Sequence, residues 1–343
     1  MRFLWLPLFV ALCLLATAGA RAASTDAEGC KNAPDPDRRI ELCTKLILYD
    51  EDPDLGAWPY VFRAAAYVEK GQYDQAIEDY DAALRLRPTQ PVALVGRCSA
   101  LNKKGSYAEA IESCSLALRL DPNDGIAYND RCLARASLGQ NEEALRDCNA
   151  ALALRPDAPE TLANLGLVYT NLGQFDLAIK DYGESLRLKP GYVDAYIGLG
   201  WAYGTEGKYD LALKNYDAAV KLEPDWAYLR KERCRTLLQV GRLKDAIAEC
   251  DRSIALEPDH AVTYETRGYA YLLDRNPKQA RKDFDKALKL DPNSPISLFG
   301  RGMAKGILGD IAGAKRDGAA ARAIMPDVSD YLTSIHFVPG KAP

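Results

Sequence analysis

Cysteine pairs offer the clearest chemistry in this sequence. The chain holds nine cysteines, and six of them form three pairs whose members are 16 positions apart. These pairs are Cys98 with Cys114, Cys132 with Cys148, and Cys234 with Cys250, and a fourth pair, Cys30 with Cys43, comes earlier in the chain. Paired thiols at a repeated spacing can oxidise to disulfides that close short loops.

Catalytic and metal-binding patterns are otherwise missing from the sequence. Its two histidines, His260 and His336, have no second ligand at a spacing typical of a metal site. There is no Cys-x-x-Cys, no glycine-rich phosphate loop and no Gly-x-Ser-x-Gly elbow. We therefore predict no metal, no cofactor and no enzymatic activity.

The charge pattern argues against nucleic acid as a partner. The chain has 44 basic and 48 acidic residues and a formal net charge of -4. Basic residues alternate with acidic ones instead of forming a patch that could follow a phosphate backbone. We predict that the protein does not bind nucleic acid.

A repeat of 34 residues determines which elements position the cysteines. A proline recurs at this interval, and its ring ends a helix. The prolines are Pro88, Pro122, Pro156, Pro190, Pro224, Pro258, Pro292 and Pro326. With each proline at position 32, eight consecutive repeats span residues 57–90, 91–124, 125–158, 159–192, 193–226, 227–260, 261–294 and 295–328. Because so short a unit cannot bury its own apolar face, it must stack on its neighbours.

Two further positions predict that each repeat is a helical hairpin. Position 20 is alanine in every repeat, which suits two helices that approach closely; these residues are Ala76, Ala110, Ala144, Ala178, Ala212, Ala246, Ala280 and Ala314. Position 15 is glycine in seven repeats, as expected of a left-handed residue between two helices. These glycines are Gly71, Gly105, Gly139, Gly173, Gly207, Gly241 and Gly309, whereas repeat seven has Arg275-Asn276-Pro277 there.

At these positions the sequence resembles the tetratricopeptide repeat family. Repeat five carries the resemblance through Tyr196, Leu199, Gly200, Tyr203, Ala212, Tyr216, Ala219 and Pro224. The resemblance covers residues 57–328 and implies an all-α fold, a right-handed superhelical solenoid of eight 34-residue helix-turn-helix repeats. It also implies that the first helix of each repeat lines a concave groove that receives a protein or peptide.

The repeat register places three of the cysteine pairs at positions 8 and 24. These positions lie at the same level on the two helices of a hairpin, so the thiols could touch. Elsewhere a small and a large residue share the positions, as in Gly200 with Tyr216 and Gly268 with Phe284. The alternative is that cysteine serves here only as a small buried apolar side chain. We favour disulfides because no repeat has one cysteine of a pair without the other.

A second register predicts ion pairs across the hairpins. Position 7 is arginine in six repeats, and position 23 is acidic in five of these. The expected pairs are Arg63–Asp79, Arg131–Asp147, Arg233–Glu249, Arg267–Asp283 and Arg301–Asp317. A row of catalytic carboxylates is the alternative, but each acid has a recurring arginine partner and no second acid beside it, so we favour a structural role.

The start of the chain predicts export. Residues 1–22 contain an apolar run followed by Ala20-Arg21-Ala22, a small-x-small pattern typical of signal peptidase sites. Cys13 lies in this run and would leave with the signal, which leaves eight cysteines to pair. An uncleaved membrane anchor is the alternative, and only in that case would the protein contact a membrane. Disulfides and a signal peptide together predict a periplasmic or secreted protein.

Segments at both ends of the repeats are predicted caps. Residues 23–56 form a cap pinned by Cys30 and Cys43, a leader similar to that of exported bacterial tetratricopeptide proteins. Residues 329–343 form a tail in which Ile335, Phe337 and Val338 cover the apolar end of the last repeat.

Side chains at the groove positions are the candidate binding residues. They are Asn129, Asn164, Trp201, Tyr228, Lys231, Arg235 and Tyr269. The amides suit a peptide backbone, the aromatic residues offer exposed area, and the two basic residues form a cationic spot; the alternative is that these are ordinary surface residues. Trp201 is the strongest candidate because a large aromatic side chain at such a position has no evident internal partner.

The sequence therefore predicts an exported non-enzymatic scaffold or adaptor that binds a protein or peptide in its concave groove. The carboxylate clamp of chaperone-binding members is missing, since Val61 and Ala65 stand where its lysine and asparagine would be. One alternative is a structural subunit of a cell-envelope or secretion assembly that uses its convex face or its ends. Another is an enzyme or accessory of polysaccharide metabolism, which would require a site that the sequence does not show.

Overall fold

A computed structural model describes residues 25–49, 56–335 and 337. The predicted signal peptide, residues 1–22, and Val338 of the tail lie outside these ranges. The described chain is helical with connecting turns and contains no strand, so the predicted all-α fold class is confirmed. None of its helices combines the length and the apolar character that a membrane span requires.

The helices fall into two compact units, Met1–Leu172 and Gly173–Pro343. The amino-terminal unit contains α1 (25–32), α2 (Pro36–Tyr49), α3 (Trp58–Glu69), α4 (Tyr73–Leu86), α5 (Pro91–Lys104), α6 (Tyr107–Leu120), α7 (Gly125–Ser137), α8 (Asn141–Leu154) and α9 (Pro159–Asn171). The carboxy-terminal unit contains α10 (Phe175–Leu188), α11 (Val193–Thr205), α12 (Tyr209–Leu222), α13 (Ala227–Gln239), α14 (Leu243–Leu256), α15 (Ala261–Leu273), α16 (Pro277–Leu290), α17 (Pro295–Ile307), α18 (Ile311–Ile324) and α19 (Val328–Ser334). Consecutive helices pack against each other from α2 to α9 and from α10 to α18, and α19 packs against α17. The boundary falls in the turn of predicted repeat four.

Left-handed residues separate the two helices of each hairpin. All seven glycines predicted for these turns have a positive φ, from 70° at Gly71 to 89° at Gly309. In repeat seven the non-glycine residue Arg275 takes this conformation with φ of 59°. An L-residue is strained there because its Cβ crowds the backbone, so repeat seven keeps the turn without the residue that suits it.

Small residues let the hairpins close. Alanine at position 20 is fully buried in the first seven predicted repeats and half-buried at Ala314 in the last. A large ring at position 24 instead lies against glycine in the next repeat. A Cβ on Gly96 would approach the Tyr80 ring to 2.4 Å, and one on Gly300 would approach the Phe284 ring to 2.3 Å. Glycine at position 6 of the following repeat therefore makes room for the ring at position 24 in these two places.

The four predicted cysteine pairs lie at bonding distance. The Sγ atoms are 2.02 Å apart in Cys30–Cys43, 2.10 Å in Cys98–Cys114, and 1.98 Å in both Cys132–Cys148 and Cys234–Cys250. All eight cysteines are fully buried. Three of the bridges join the two helices of one hairpin, and Cys30–Cys43 joins α1 to α2.

Arginines at position 7 form the predicted ion pairs and also link neighbouring repeats. Arg267 donates to both carboxylate oxygens of Asp283, at 2.7 and 2.8 Å, within its own hairpin. It also donates to Asp251 of the preceding repeat at 2.5 Å. Arg301 repeats this pattern with Asp317 and Asp285. The acid in the preceding repeat was not predicted from the sequence, and it makes Arg267 and Arg301 bridges between stacked hairpins.

The carboxy-terminal end is closed by α19 and the residues after it. Val328 and Leu332 of α19 are fully buried, and Phe337 is 4% exposed. Ile335 packs against the same apolar cluster. This segment packs against α17 and against Tyr269 of α15.

Candidate functional site

The first helices of successive hairpins form one face in each unit. We call α3, α5, α7 and α9 the amino-unit face and α11, α13, α15 and α17 the carboxy-unit face. Along the amino-unit face each first helix contacts the next, and so do α13, α15 and α17. Side chains at positions 5, 6, 9 and 12 of neighbouring repeats are thereby brought together.

Polar side chains on the amino-unit face converge on Asp130 of α7. The Asn164 Nδ2 donates to the Asn129 Oδ1 at 2.9 Å, and the Asn129 Nδ2 donates to one Asp130 carboxylate oxygen at 3.1 Å. The hydroxyl of Ser99 donates to the other oxygen. Both predicted amides of this face therefore belong to one network, whose acceptor is a carboxylate.

Asn102 of α5 completes this cluster. Its Nδ2 donates to the Asp130 carbonyl oxygen at 2.8 Å. Its Oδ1 is buried and has no hydrogen-bond partner in the described part of the chain, and the residue is 7% exposed. A buried acceptor without a donor is unfavourable, because it has lost the water that would otherwise bind it. We call Ser99, Asn102, Asn129, Asp130 and Asn164 the Asp130 cluster.

Burial raises the pKa of the Asp130 carboxyl above its ordinary value. Hydrogen bonds from Ser99 and Asn129 and the charge of Lys103 act in the opposite direction, and the charge of Asp124 adds to the rise. The net rise in pKa means that the hydrogen-bond donors already present do not fully offset the cost of burying the charged carboxylate.

The carboxy-unit face carries a second charged group, which is internally paired. Arg235 donates to the Glu232 Oε2 at 2.7 Å, and the Lys231 Nζ lies 3.4 Å from the Glu232 Oε1. Glu232 is buried. The predicted cationic spot therefore contains an acid that the sequence analysis did not single out, and both cations contact it.

Aromatic side chains flank this group. The Lys231 Nζ lies 4.5 Å from the centre of the Tyr228 ring, which is itself 6.0 Å from the Trp226 ring. Burial raises the pKa of Tyr228 to about 12, so its hydroxyl stays neutral at physiological pH. Trp201 of α11 is 40% exposed, and its indole is accessible from solvent as predicted.

Tyr269 does not offer the exposed aromatic area that we predicted, since it is 0% exposed. Its ring packs between Phe284 and Phe337, with centroids 5.0 and 5.3 Å away, and its hydroxyl donates to the Ile296 carbonyl oxygen at 2.7 Å. The prediction was wrong because the chain after α19 returns over this part of the carboxy-unit face. Tyr269 is a core residue.

Glu265 is a further buried acid of the carboxy-unit face that the sequence analysis missed. It accepts hydrogen bonds from the Ser294 and Ser297 hydroxyls at 2.7 and 2.6 Å. Burial raises its pKa. Its place at position 5 of a repeat could have identified Glu265 as a residue of the first-helix face. Positions 9 and 12 could have identified Ser99 and Asn102 in the same way. No group of three or more histidine, cysteine or acidic residues suited to a metal ion occurs among residues that the structure describes.

Comparison with known families matches several parts of the chain to tetratricopeptide repeats. Profiles described as Tetratricopeptide repeat match residues 63–125, 159–192, 193–225 and 261–294. One described as TPR repeat matches residues 133–173. No curated protein sequence matches the chain significantly.

Solved structures share the fold at low sequence identity. A tetratricopeptide repeat protein from Parabacteroides merdae is 23% identical over 72% of this chain and 98% of that one, with a TM-score of 0.51. The Cut9-Hcn1 hetero-tetramer of the APC/C contains a chain that is 18% identical over 77% of this chain, with a TM-score of 0.64; this chain spans 52% of that protein's length. Human IFIT1, solved as a dimer with m7Gppp-AAAA, is 15% identical over 84% of this chain and 76% of that one, with a TM-score of 0.62.

Proposed function

Since the chain belongs to the tetratricopeptide repeat family, we propose that it is an exported adaptor without catalytic activity that binds a segment of a partner protein on the first-helix faces of its repeats. Repeats of this family commonly mediate protein–protein interaction. The partner segment would lie across the first helices, where side chains of successive repeats come together. The bridged hairpins would hold these side chains in place before binding, which lowers the entropy lost on association.

Trp201 is the observation that carries the proposal. It lies on the first helix α11 and exposes 40% of its surface. A large aromatic side chain left open on such a face is typical of residues that contribute most to binding energy. Asn129 and Asn164 would contribute on the amino-unit face through the Asp130 cluster, and Tyr228, Lys231 and Arg235 would contribute on the carboxy-unit face. Tyr269 is excluded because it is buried.

Export is supported by the cysteine geometry. Eight buried cysteines in four pairs at bonding distance suit an oxidising compartment, since cytosolic thiols are kept reduced. The signal peptide predicted at residues 1–22 would provide the route, and the protein would then be periplasmic or secreted.

Crosslinking in the native envelope tests the adaptor. We would capture partners of the exported protein and identify them by mass spectrometry, beside Trp201→Ala. Leu211→Ala is the matched control, because Leu211 is a large, exposed apolar residue in the same unit but on a second helix, α12. If Trp201→Ala loses partners that Leu211→Ala still captures, the proposal is supported. If both variants capture the same partners equally well, binding at this face is contradicted.

A structural-subunit role is favoured by a different observation. Large aliphatic side chains are exposed in register on the amino-terminal unit, where the second helix of one repeat meets the first helix of the next: Leu86, Val92, Leu120, Ile126 and Leu154. Exposed apolar side chains that recur at the same two repeat positions suit a permanent neighbour in an assembly. In that case Leu86→Asp with Leu120→Asp, rather than Trp201→Ala, would abolish crosslinking.

A further inference from the structure

The Asp130 cluster contains an acid without a cation. In the described chain, no nitrogen of lysine, arginine or histidine lies within 4.0 Å of the Asp130 carboxylate. Its donors are the hydroxyl of Ser99 and the amide of Asn129, which are both neutral. A half-buried carboxylate that has only neutral donors is less stable than one that also contacts a cation.

In repeat six the acid at the same repeat position is paired with cations of the protein itself. Asp130 and Glu232 both occupy position 6 of their repeats. Glu232 contacts Lys231 at position 5 and Arg235 at position 9. In repeat three the corresponding residues are Asn129 and Leu133, neither of which carries a charge. Asp130 therefore has no cation at positions 5 and 9 of its own repeat, and Lys103 of α5 acts on it without an ion-pair contact.

The unpartnered Asn102 Oδ1 is a second, independent sign that a ligand is missing. This oxygen is buried beside Asp130, to whose carbonyl oxygen the same amide donates at 2.8 Å. Exchanging the nitrogen and oxygen of the Asn102 amide would not give the oxygen a donor, because the oxygen would then face the Asp130 carbonyl oxygen, which is also an acceptor. The cluster thus contains a half-buried carboxylate and a buried amide oxygen, and both are hydrogen-bond acceptors.

A disulfide provides the space in which these side chains sit. Where a ring occupies position 24, position 6 of the next repeat is glycine at Gly96, Gly198 and Gly300, and a Cβ there would lie within 2.4 Å of the ring. Where position 24 belongs to a disulfide, the next repeat carries a side chain instead, namely Asp130 after Cys114 and Asn164 after Cys148. Glu232 after Tyr216 is the exception. The bridges of repeats two and three therefore open room on the amino-unit face for polar groups.

We propose that the Asp130 cluster binds a lysine or arginine side chain of the partner segment. This proposal rests on the proposed adaptor function and adds the chemistry of one subsite to it. The partner's cation would pair with the Asp130 carboxylate, and the Asn102 side chain would have to move before its buried Oδ1 accepted a second hydrogen bond. Ser99, Asn129 and Asn164 would hold the carboxylate in place. Lysine and arginine suit this subsite because each carries several donors on one cationic group and no acceptor.

Small cationic probes test the subsite without a known partner. N-acetyl-lysine amide is titrated into the exported protein labelled with 15N in its asparagine side chains, and N-acetyl-norleucine amide serves as the neutral probe. We expect the lysine probe to shift the side-chain amide signals of Asn102, Asn129 and Asn164. Asp130→Asn should weaken binding about tenfold or more, since a charge-assisted hydrogen bond is replaced by a neutral one.

Asp157→Asn is the matched control, because it makes the same change at an exposed acid of the same unit. It should bind the lysine probe as the unmodified protein does. Equal binding by Asp130→Asn, or equal shifts with the norleucine probe, would overturn the proposal.

A peptide array separates failure of the subsite from failure of the adaptor function. The exported protein is applied to random peptides, beside Asp130→Asn. Selection of peptides rich in lysine or arginine by the unmodified protein, lost in Asp130→Asn, supports both proposals. Selection of peptides regardless of basic residues would overturn the subsite and leave the adaptor function standing. Binding of the lysine probe without any selected peptide would support the subsite and contradict the adaptor function.

Discussion

The rings of Tyr269 and Phe337 pack with their centroids 5.3 Å apart and their planes at 45°. Tyr269 belongs to α15, whereas Phe337 lies beyond α19, so the chain after its last helix returns to cover a first helix. Phe337 also donates its backbone N–H to the Leu332 carbonyl oxygen at 2.9 Å, which anchors the returning segment to α19.

Phe337→Ala should therefore destabilise the carboxy-terminal unit. Removing a buried ring leaves a cavity beside Tyr269, and we expect the free energy of unfolding to fall by about 3 kcal/mol. Urea denaturation measures the change. Tyr331→Ala is the control, since Tyr331 is an exposed aromatic residue of α19; an equally large loss in this variant would show that Phe337 has no special role.

Replacing Cys98 and Cys114 together by alanine should lower the free energy of unfolding by about 3 kcal/mol under oxidising conditions, because the bridge restricts the unfolded chain. In a reducing buffer the variant and the unmodified protein should differ far less. Mass spectrometry before and after alkylation checks the oxidised state itself. The protein is alkylated without reduction, both folded and denatured. If any of the eight cysteines reacts with the alkylating reagent, the prediction of four disulfide bridges is contradicted.

Arg267→Met should cost about 3 kcal/mol, since it leaves the buried Asp283 without its bidentate partner and removes the link to Asp251. Arg242→Met removes an exposed pair with Asp245 and should cost less than about 1 kcal/mol. Thermal or urea unfolding compares the two. Similar losses would mean that the link between hairpins contributes little.

Arg275→Gly should raise the free energy of unfolding by about 1 kcal/mol, because glycine adopts a positive φ without steric strain. Gly241→Ala makes the opposite change at the equivalent turn and should lower it by a similar amount. Equilibrium unfolding of both variants tests the strain at Arg275. A loss of stability in Arg275→Gly would show instead that its side chain contributes contacts that outweigh the strain.

Asp130→Asn should stabilise the protein at neutral pH while it weakens binding. Because the folded-state pKa of Asp130 is raised, the folded chain holds its proton more tightly than the unfolded chain. Stability from this group is therefore fully present below the ordinary carboxyl pKa and is lost as pH rises through the raised value. Lys103 and Asp124 face the carboxyl with opposite effects and are unchanged in the variant.

Urea denaturation of both proteins between about pH 3 and pH 7 isolates this effect, since Glu265 and the other acids titrate alike in each. The advantage of Asp130→Asn should grow with pH. A variant that is less stable at every pH would indicate that the charged carboxylate is needed to hold Ser99 and Asn129, and the cluster would then be structural.

The periodic residues made most of the fold predictable. Proline, glycine and alanine at fixed positions each impose one local condition, a helix end, a left-handed turn or a close helix contact, and these conditions hold wherever the residue occurs. The same register predicted the arginine pairs within hairpins and three of the four cysteine pairs, because both join positions whose relation is fixed inside one repeat.

Contacts between repeats were decided by the tertiary structure. The sequence placed Asn129, Asn164 and Trp201 on one kind of face, but not the hydrogen bonds that join Ser99, Asn102 and Asp130, which come from three different positions of neighbouring repeats. Likewise, nothing periodic in the sequence predicted that Phe337 would bury Tyr269. Local repeats determine their own hairpins because their interactions span few residues, whereas the binding surface depends on how side chains of stacked hairpins and a non-repeating tail meet in space.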